Sequence, residues 1–264
     1  MTRCPPRRGA ALLLALGLAA GASLTVRAET PDVWPDISRD LFPGKSVGLD
    51  QTITLEAPTR AEDAAIVPMT LRLKDAGVRR ATLVIDQNPM PMAAAFTLGP
   101  NAGVSFIETR VRVNSYTNVH AVAETGDGSL HAEVKFVKAA GGCSAPAGKN
   151  MDEAAANLGK MKYRAFKSQS ADRREAQIMI RHPNASGMQM DQVTHLYVPA
   201  HYVNKVEVRQ GADLIFSMEG GISLSEDPIF RFDYKPTGAK TISVEARDSK
   251  GGVFKGEWPI GDES

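Results

Sequence analysis

Cysteine is scarce in this 264-residue chain, which contains only Cys4 and Cys143. Long apolar runs are also missing, because the longest, residues 10–22, falls short of the roughly 20 residues that a membrane-spanning helix needs. Neither charge sign dominates, with 31 basic against 30 acidic residues. These shortages exclude a disulfide framework, a retained membrane anchor and a basic surface for nucleic acid.

Residues 1–28 have the order of a secretory signal peptide. Arginines at the start are followed by the apolar run and then by small residues that end at Ala28. We therefore expect cleavage near Ala28 and a periplasmic protein, exported by either the Sec or the twin-arginine route. Removing four arginines leaves 27 basic against 30 acidic residues.

Cleavage would leave Cys143 as the only cysteine, so the mature chain could form no internal disulfide. Cys143 lies in Ala-Ala-Gly-Gly-Cys-Ser-Ala-Pro-Ala-Gly, residues 139–148, which we call the cysteine segment. No large apolar side chain in this segment could anchor it in a core, and Gly141 and Gly142 favour a flexible tether. The pattern predicts an exposed, functional thiol; the alternative is a linker cysteine without a role.

Chemistry at Cys143 requires the thiolate, which an ordinary thiol of pKa near 8.5 supplies only in small amounts at neutral pH. No adjacent histidine or aspartate resembles a nucleophile with its base. We therefore expect no catalytic residue, no metal site and no cofactor. The thiol is predicted to be presented to other proteins.

The residues before the cysteine segment alternate between apolar and polar, with turn signals between the runs, as in antiparallel sandwiches. The alternating apolar sets are Ile53 and Leu55; Val67, Met69, Leu71 and Leu73; Leu83 and Ile85; Val111 and Val113; and Leu130, Ala132, Val134 and Phe136. Trp34, Ile37 and Leu41 fit one face of a short N-terminal helix that ends near Pro43.

After the cysteine segment, residues 151–166 are rich in alanine and predict a helical connector. The alternation of apolar and polar residues then resumes and continues to the end of the chain. We predict an all-β protein of two immunoglobulin-like antiparallel β-sandwich domains, with the N-terminal helix and a helical inter-domain connector. The predicted boundaries are 1–28 for the signal peptide, 29–140 and 171–264 for the sandwiches, and 141–170 for the cysteine and its linker.

Several short motifs, in order, resemble those of a known family. They are Gln87-Asn88-Pro89-Met90-Pro91, Tyr116-Thr117-Asn118-Val119-His120 and Gly141-Gly142-Cys143, followed in the second half by Ile180-Arg181-His182-Pro183 and Ser225-Glu226-Asp227-Pro228. The first half resembles SoxY, the carrier subunit of periplasmic thiosulfate oxidation, and the second half resembles its partner SoxZ. The whole resembles the single-chain SoxYZ-like carriers associated with quinoprotein (PQQ-dependent) dehydrogenases.

The resemblance implies a non-catalytic carrier that holds a covalent sulfur adduct on Cys143 and presents it to partners. Those partners would be periplasmic sulfur-oxidation enzymes or a PQQ-dependent dehydrogenase system. In SoxY the Gly-Gly-Cys motif ends the chain, whereas here Ser144 continues it into the second domain. A tether held at both ends has a shorter reach than a free tail.

Two other functions stay open at this point. A docking module for a quinoprotein dehydrogenase would need no cysteine chemistry, and a copper-handling protein could use the nearby sulfur and imidazole ligands. The candidate copper ligands are His182, Met188, Met190, His195 and His201. A disulfide-linked homodimer through Cys143 is a further open arrangement.

Overall fold

The computed structural model describes residues 1–2, 32–146, 151–168 and 170–260. All but the first two residues of the predicted signal peptide therefore lie outside the described residues. The described part is mainly β-structure, with helices α1 (Trp34–Leu41) and α2 (Met151–Ala156). None of its helices is long and apolar enough to cross a membrane. The predicted all-β class and N-terminal helix are confirmed.

Eight strands precede the cysteine segment and seven follow it. The first eight are β1 (Val47–Leu49), β2 (Ile53–Glu56), β3 (Val67–Leu73), β4 (Val78–Ile85), β5 (Met92–Leu98), β6 (Phe106–Val111), β7 (Thr117–Thr125) and β8 (Leu130–Val137). The others are β9 (Met161–Phe166), β10 (Arg174–Ile180), β11 (Val203–Gln210), β12 (Asp213–Gly220), β13 (Ile229–Tyr234), β14 (Thr241–Asp248) and β15 (Val253–Pro259).

The strands form two sheets, and each sheet continues from the first half of the chain into the second. One sheet has the order β1-β8-β7-β4-β5-β12-β11-β14-β15, and the other has the order β2-β3-β6-β13-β10-β9. The two halves join where β5 pairs with β12 and where β6 pairs with β13, both antiparallel. The two predicted sandwiches are thus continuous with each other, and the described residues from 32 onwards form one compact unit.

The larger of two buried apolar clusters contains residues of both sheets and of both halves of the chain. Phe96 of β5 contacts Phe216 of β12 and Phe230 of β13 edge to face, with ring centroids 5.8 and 6.2 Å apart. Asp233 adds a polar link, because its Oδ1 accepts hydrogen bonds from the backbone N–H groups of Ser105 (2.7 Å) and Phe106 (3.1 Å). Apolar contacts and buried polar contacts therefore both hold the halves together.

The predicted connector is only partly helical. Helix α2 ends at Ala156, and residues 161–166, which we expected to be helical, form strand β9 at one edge of the second sheet. Gly159, in the turn between α2 and β9, adopts φ +75°, a conformation that favours glycine. Tyr163 then stacks on Trp258 with centroids 5.6 Å apart, so tertiary packing decides the structure of this stretch.

Helix α1 is fixed to the first half by an aromatic contact. The ring of Trp34 stacks on the imidazole of His120, with centroids 3.6 Å apart and planes 6° from parallel. His120 is buried in β7, and its Nε2 lies 3.1 Å from Oδ2 of Asp86. The histidine in the motif that began at Tyr116 therefore has a packing role.

Candidate functional site: the cysteine turn

Cys143 lies in a turn that follows β8, and we call residues 141–145 the cysteine turn. The backbone N–H groups of Gly141 and Gly142 donate to the carbonyls of Asn114 (2.8 Å) and Val113 (3.0 Å). The turn closes through the N–H of Ser144, which donates to the carbonyl of Gly141 at 3.2 Å. The first half of the chain thus binds the start of the turn through its backbone.

The two glycines of the turn are required for different reasons. A Cβ on Gly142 would lie 2.0 Å from the carbonyl oxygen of Ala64 and 2.7 Å from that of Val113, so there is no space for a side chain. Gly141 has open space around it but adopts φ +80°, which side chains disfavour. The glycines that we expected to form a flexible tether are both held to the protein by backbone hydrogen bonds in this structure.

The second half of the chain covers the rest of the turn. The hydroxyl of Ser186 donates to the carbonyl of Cys143, and Nε2 of Gln189 donates to the carbonyl of Ala145 at 2.9 Å. Cys143 has none of its surface exposed. The exposed thiol predicted from the sequence is therefore wrong for this conformation, because backbone and side-chain contacts replace the apolar anchor that the segment lacks.

A buried arginine lies beside Cys143. Arg112 follows β6 and is 1% exposed. Its Nη1 donates to the carbonyl of Gly142 (3.2 Å) and its Nη2 to that of Asn184 (3.4 Å), whereas its Nε has no hydrogen-bond partner among the described residues. The guanidinium therefore bridges the cysteine turn and the second half of the chain.

The charges at this site act in opposite directions. Burial raises the pKa of the Cys143 thiol, and the positive charge of Arg112 partly opposes that rise. Burial likewise lowers the pKa of Arg112, opposed by the charges of Glu226, Cys143 and Asp63. In the closed turn the thiol is thus mostly neutral and weakly nucleophilic.

A buried asparagine positions Arg112. Nδ2 of Asn88 donates to the carbonyl of Arg112 (2.7 Å) and to Oγ of Ser223 (2.9 Å), and its Oδ1 accepts from the N–H of Asn114 (2.9 Å). The backbone N–H of Arg112 donates to the carbonyl of Ser223 at 2.7 Å. The Gln87-to-Pro91 motif thus supports the site through Asn88, a role that sequence reasoning missed.

Sequence reasoning also missed Arg112, Ser186 and Gln189. They are separated from Cys143 by 31 to 46 positions, and no local motif connects them to it. The available signal is weak, because Arg112 alternates with Val111 and Val113 as an exposed polar residue of a half-buried strand would.

Two family models match the chain in tandem. The model described as sulfur oxidation protein SoxY matches residues 39–143, and the model described as sulphur oxidation protein SoxZ matches residues 161–259. The chain is a fused SoxYZ-like protein. The SoxY match ends at Cys143, so β1 to β8 and the start of the cysteine turn form the SoxY part, and β9 to β15 form the SoxZ part. This membership supports a carrier role in sulfur oxidation.

Among solved structures, the chain is similar to the sulfur carrier protein SoxY from Chlorobium limicola f thiosulfatophilum. The identity is 27%, over 39% of this chain and 89% of that protein, with a TM-score of 0.36. A superoxide reductase (neelaredoxin) from Ignicoccus hospitalis is 13% identical over 33% of this chain and 79% of that one, with a TM-score of 0.30. No curated protein matches. Because both TM-scores are low, the assignment rests on the two family models.

The SoxZ part brings two of the candidate copper ligands together. His182, His201 and Asp248 each offer one ligand atom, and these atoms lie within 4.8 Å of one another. Nε2 of His201 lies 2.7 Å and Nε2 of His182 lies 3.5 Å from Oδ2 of Asp248. His195 is not in this cluster and is exposed, directly after the turn at residues 192–194.

The hydrogen bonds of His182 favour a structural network over a metal site. Its Nδ1 accepts from the backbone N–H of Asn184 at 3.0 Å, so in the neutral ring the proton is on Nε2 and faces Asp248. A histidine that binds a metal usually donates through its second ring nitrogen, which here accepts instead. Burial raises the pKa of Asp248, but hydrogen bonds from His201, Gly252 and Lys250 outweigh it and lower that pKa to about 2.

His182 should make folding stability depend on pH. Burial, with repulsion from His201, lowers its pKa to about 4, whereas an unfolded histidine titrates near 6.5. Between these values the unfolded chain binds a proton that the folded protein does not, so stability falls as the pH falls. We expect a loss of about 3 kcal/mol between pH 7 and pH 4, measured by urea unfolding.

The variant His182→Gln should remove most of this slope. His195→Gln, a change at an exposed histidine that keeps His182, should retain it. An equal slope in all three proteins would assign the pH dependence to other groups.

Proposed function

We propose that this protein is a periplasmic sulfur-compound carrier that holds a covalent sulfur adduct on Cys143 and presents it to partner enzymes. The observation that carries the proposal is the position of Cys143, at the end of the SoxY match, in a turn held by polar contacts that can be released. The partners are sulfur-oxidation enzymes, either of thiosulfate oxidation or of a system that includes a PQQ-dependent dehydrogenase. The signal-peptide pattern supports the periplasmic location.

A buried cysteine can serve as a carrier if the turn opens at moderate cost. Five hydrogen bonds hold the turn to the rest of the protein: those from Gly141 N, Gly142 N, Arg112, Ser186 and Gln189. Each contributes roughly 0.5–1.5 kcal/mol net, so opening costs about 5 kcal/mol, near the low end of a domain's total stability. Because residues 141–145 contain no large apolar side chain, opening loses little apolar burial, and local opening is favoured over global unfolding.

A partner could lower this cost by binding next to the turn. Gln189, which binds Ala145, is followed by a segment with exposed apolar side chains. They are Met190 (40%), Val193 (87%), Leu196 (68%) and Tyr197 (67%). We place the docking of the loading or unloading enzyme on this segment, because displacing Gln189 removes one of the contacts that keep the turn closed.

Loading is an oxidation and requires a redox partner. Joining a Cys143 thiolate to thiosulfate forms one S–S bond, gives an S-thiosulfonate of charge −1 and releases two electrons. In this proposal the electrons pass to an electron-accepting partner enzyme, such as a cytochrome. The adduct that remains on Cys143 is an anion.

The test is the intact mass of the protein exported by its native host and purified without reductant. We expect an added mass that disappears on reduction and is absent from Cys143→Ser, because Cys143 is the only cysteine after the predicted cleavage. The size of the added mass identifies the cargo. A mass doubled through Cys143 would indicate the disulfide-linked homodimer instead, and an unmodified thiol in cells that are oxidising sulfur compounds would refute the carrier.

A docking module is the second candidate, and the burial of Cys143 is the observation that favours it. Such a module would bind a quinoprotein dehydrogenase without cysteine chemistry. It predicts that Cys143→Ser keeps full function in the host, whereas a carrier loses it. The two candidates are therefore separated by one substitution.

A further inference from the structure

Arg112 is a buried cation without an ionic partner among the residues that the structure describes. Its side chain is one of the largest that are fully buried, and its Nε–H donates to no atom. The two hydrogen bonds that it makes go to carbonyls, which carry no charge. A buried charge without a counter-ion is costly, and proteins pair such groups. A buried anion placed against this guanidinium would therefore be stabilised by it.

The surroundings of Arg112 indicate where that anion belongs. Glu226 and Asp63 are the acidic side chains whose charges act on it. Cys143 is the other group whose charge acts on it. Nη1 contacts the carbonyl of Gly142, the residue bonded to Cys143, so the guanidinium lies against the turn itself.

We propose that Arg112 is the counter-ion of an anionic sulfur group at Cys143, either the thiolate or an anionic adduct on Sγ, while the cysteine turn is closed. A planar guanidinium can bind the oxygens of a sulfonate end in a bidentate manner, and the free Nε–H is the donor that such binding needs. The adduct half of this inference rests on the proposed carrier function; the thiolate half does not. Arg112 is thus a positioning residue, which stabilises an anionic sulfur group on Cys143 relative to the neutral thiol.

The thiolate half is tested by the ionisation of Cys143 in the unmodified protein. Thiolate absorbance and the rate of alkylation by iodoacetamide are followed against pH in wild type, Arg112→Gln, Arg112→Lys and Arg110→Gln. We expect Arg112→Gln to raise the midpoint by about 1–3 pH units, with Arg112→Lys close to wild type because it keeps the charge. Arg110→Gln removes an exposed arginine two positions away and should leave the midpoint unchanged. Equal midpoints in all four folded proteins would overturn this half.

The adduct half uses tetrathionate as the probe. The Cys143 thiolate attacks an inner sulfur of tetrathionate, which forms an S-thiosulfonate on Cys143 and releases thiosulfate. The loaded proteins are then exposed to dithiothreitol, and the loss of the adduct is followed by intact mass. We expect the adduct to be lost about tenfold faster or more from Arg112→Gln than from wild type, because the adduct loses its counter-ion.

The lysine variant keeps the test informative if Arg112→Gln does not fold. Lysine retains the charge but lacks the paired N–H donors of the planar guanidinium. Arg112→Lys should therefore lose the adduct faster than wild type, while the midpoint of Cys143 ionisation stays close to the wild-type value. Identical adduct lifetimes in wild type and both variants would overturn the adduct half even if native protein carries an adduct. Conversely, a shifted midpoint in Arg112→Gln with no adduct on native protein would leave Arg112 as a thiolate counter-ion and refute the carrier.

Discussion

Replacing Phe216 by alanine is expected to lower the free energy of unfolding by about 3–5 kcal/mol, because it leaves a cavity at the centre of the core. Phe216 is fully buried in β12, with ring centroids 5.8 Å from Phe96 and 5.0 Å from Phe232. Phe96 belongs to the SoxY part and the other two to the SoxZ part, so the cavity lies at the junction. The same change at Phe136, which is 45% exposed in β8, should cost far less.

The loss should affect both halves of the chain together. The two tryptophans report on different halves, since Trp34 is in α1 and Trp258 is in β15. Single-tryptophan forms, made with Trp34→Phe or Trp258→Phe, allow each half to be followed by fluorescence during urea unfolding. We expect coincident transitions in the parent and a common shift with Phe216→Ala, because both sheets cross the junction. Separate midpoints would show that the SoxY and SoxZ parts unfold independently.

The strands that could be predicted from the sequence are those with one buried face. β3 alternates between buried and less buried residues along its length, as its apolar pattern indicates. β5 was missed because residues 93–96 are buried on both faces, which removes the alternation, and its three alanines are not typical of strands. Since β5 is the strand that pairs with β12, the continuity of the sheet between the halves could not be inferred.

Alternation also misled at one strand end. The pattern in β8 predicted that Phe136 shares a buried face with Leu130, but Phe136 is 45% exposed and its neighbour Val137 is buried. β1 pairs with β8 only at residues 130–132, so the end of β8 lacks this neighbour. A periodic pattern is set by the whole strand, whereas burial is set by the local neighbours.

For the site, composition identified the cysteine but could not predict its surroundings. The scarcity of cysteine and the Gly-Gly-Cys motif point to Cys143 without a structure. Its burial depends on Ser186 and Gln189, which reach the turn from the other half of the chain. Small residues in a segment allow a flexible tether, but they equally allow the close backbone contacts that Gly142 makes with Ala64 and Val113.

Those contacts make Gly142→Ala the sharpest test of how the cysteine turn opens. The added Cβ would lie 2.0 Å from a backbone oxygen of Ala64, and backbone cannot move aside as a side-chain end can. Overpacking of this kind costs about 1–3 kcal/mol. Because only a few hydrogen bonds hold the turn, the strain should be relieved by detaching it, and Cys143 should become about 10- to 100-fold more reactive towards iodoacetamide at pH 7.

Gly141→Ala is the matched control, because its Cβ would meet nothing within 4 Å and its cost is the strain of φ +80° alone, about 1–2 kcal/mol. It should raise the reactivity of Cys143 less than Gly142→Ala does. Urea unfolding, monitored by the fluorescence of Trp258, then shows whether the substitution opens the turn locally or lowers the stability of the whole protein. If the turn opens locally, the unfolding midpoint of Gly142→Ala falls only slightly while thiol reactivity rises. If the reactivity instead rises only in proportion to the lost free energy of unfolding, the turn and the two sheets open only as a unit, and presentation of Cys143 would require a partner.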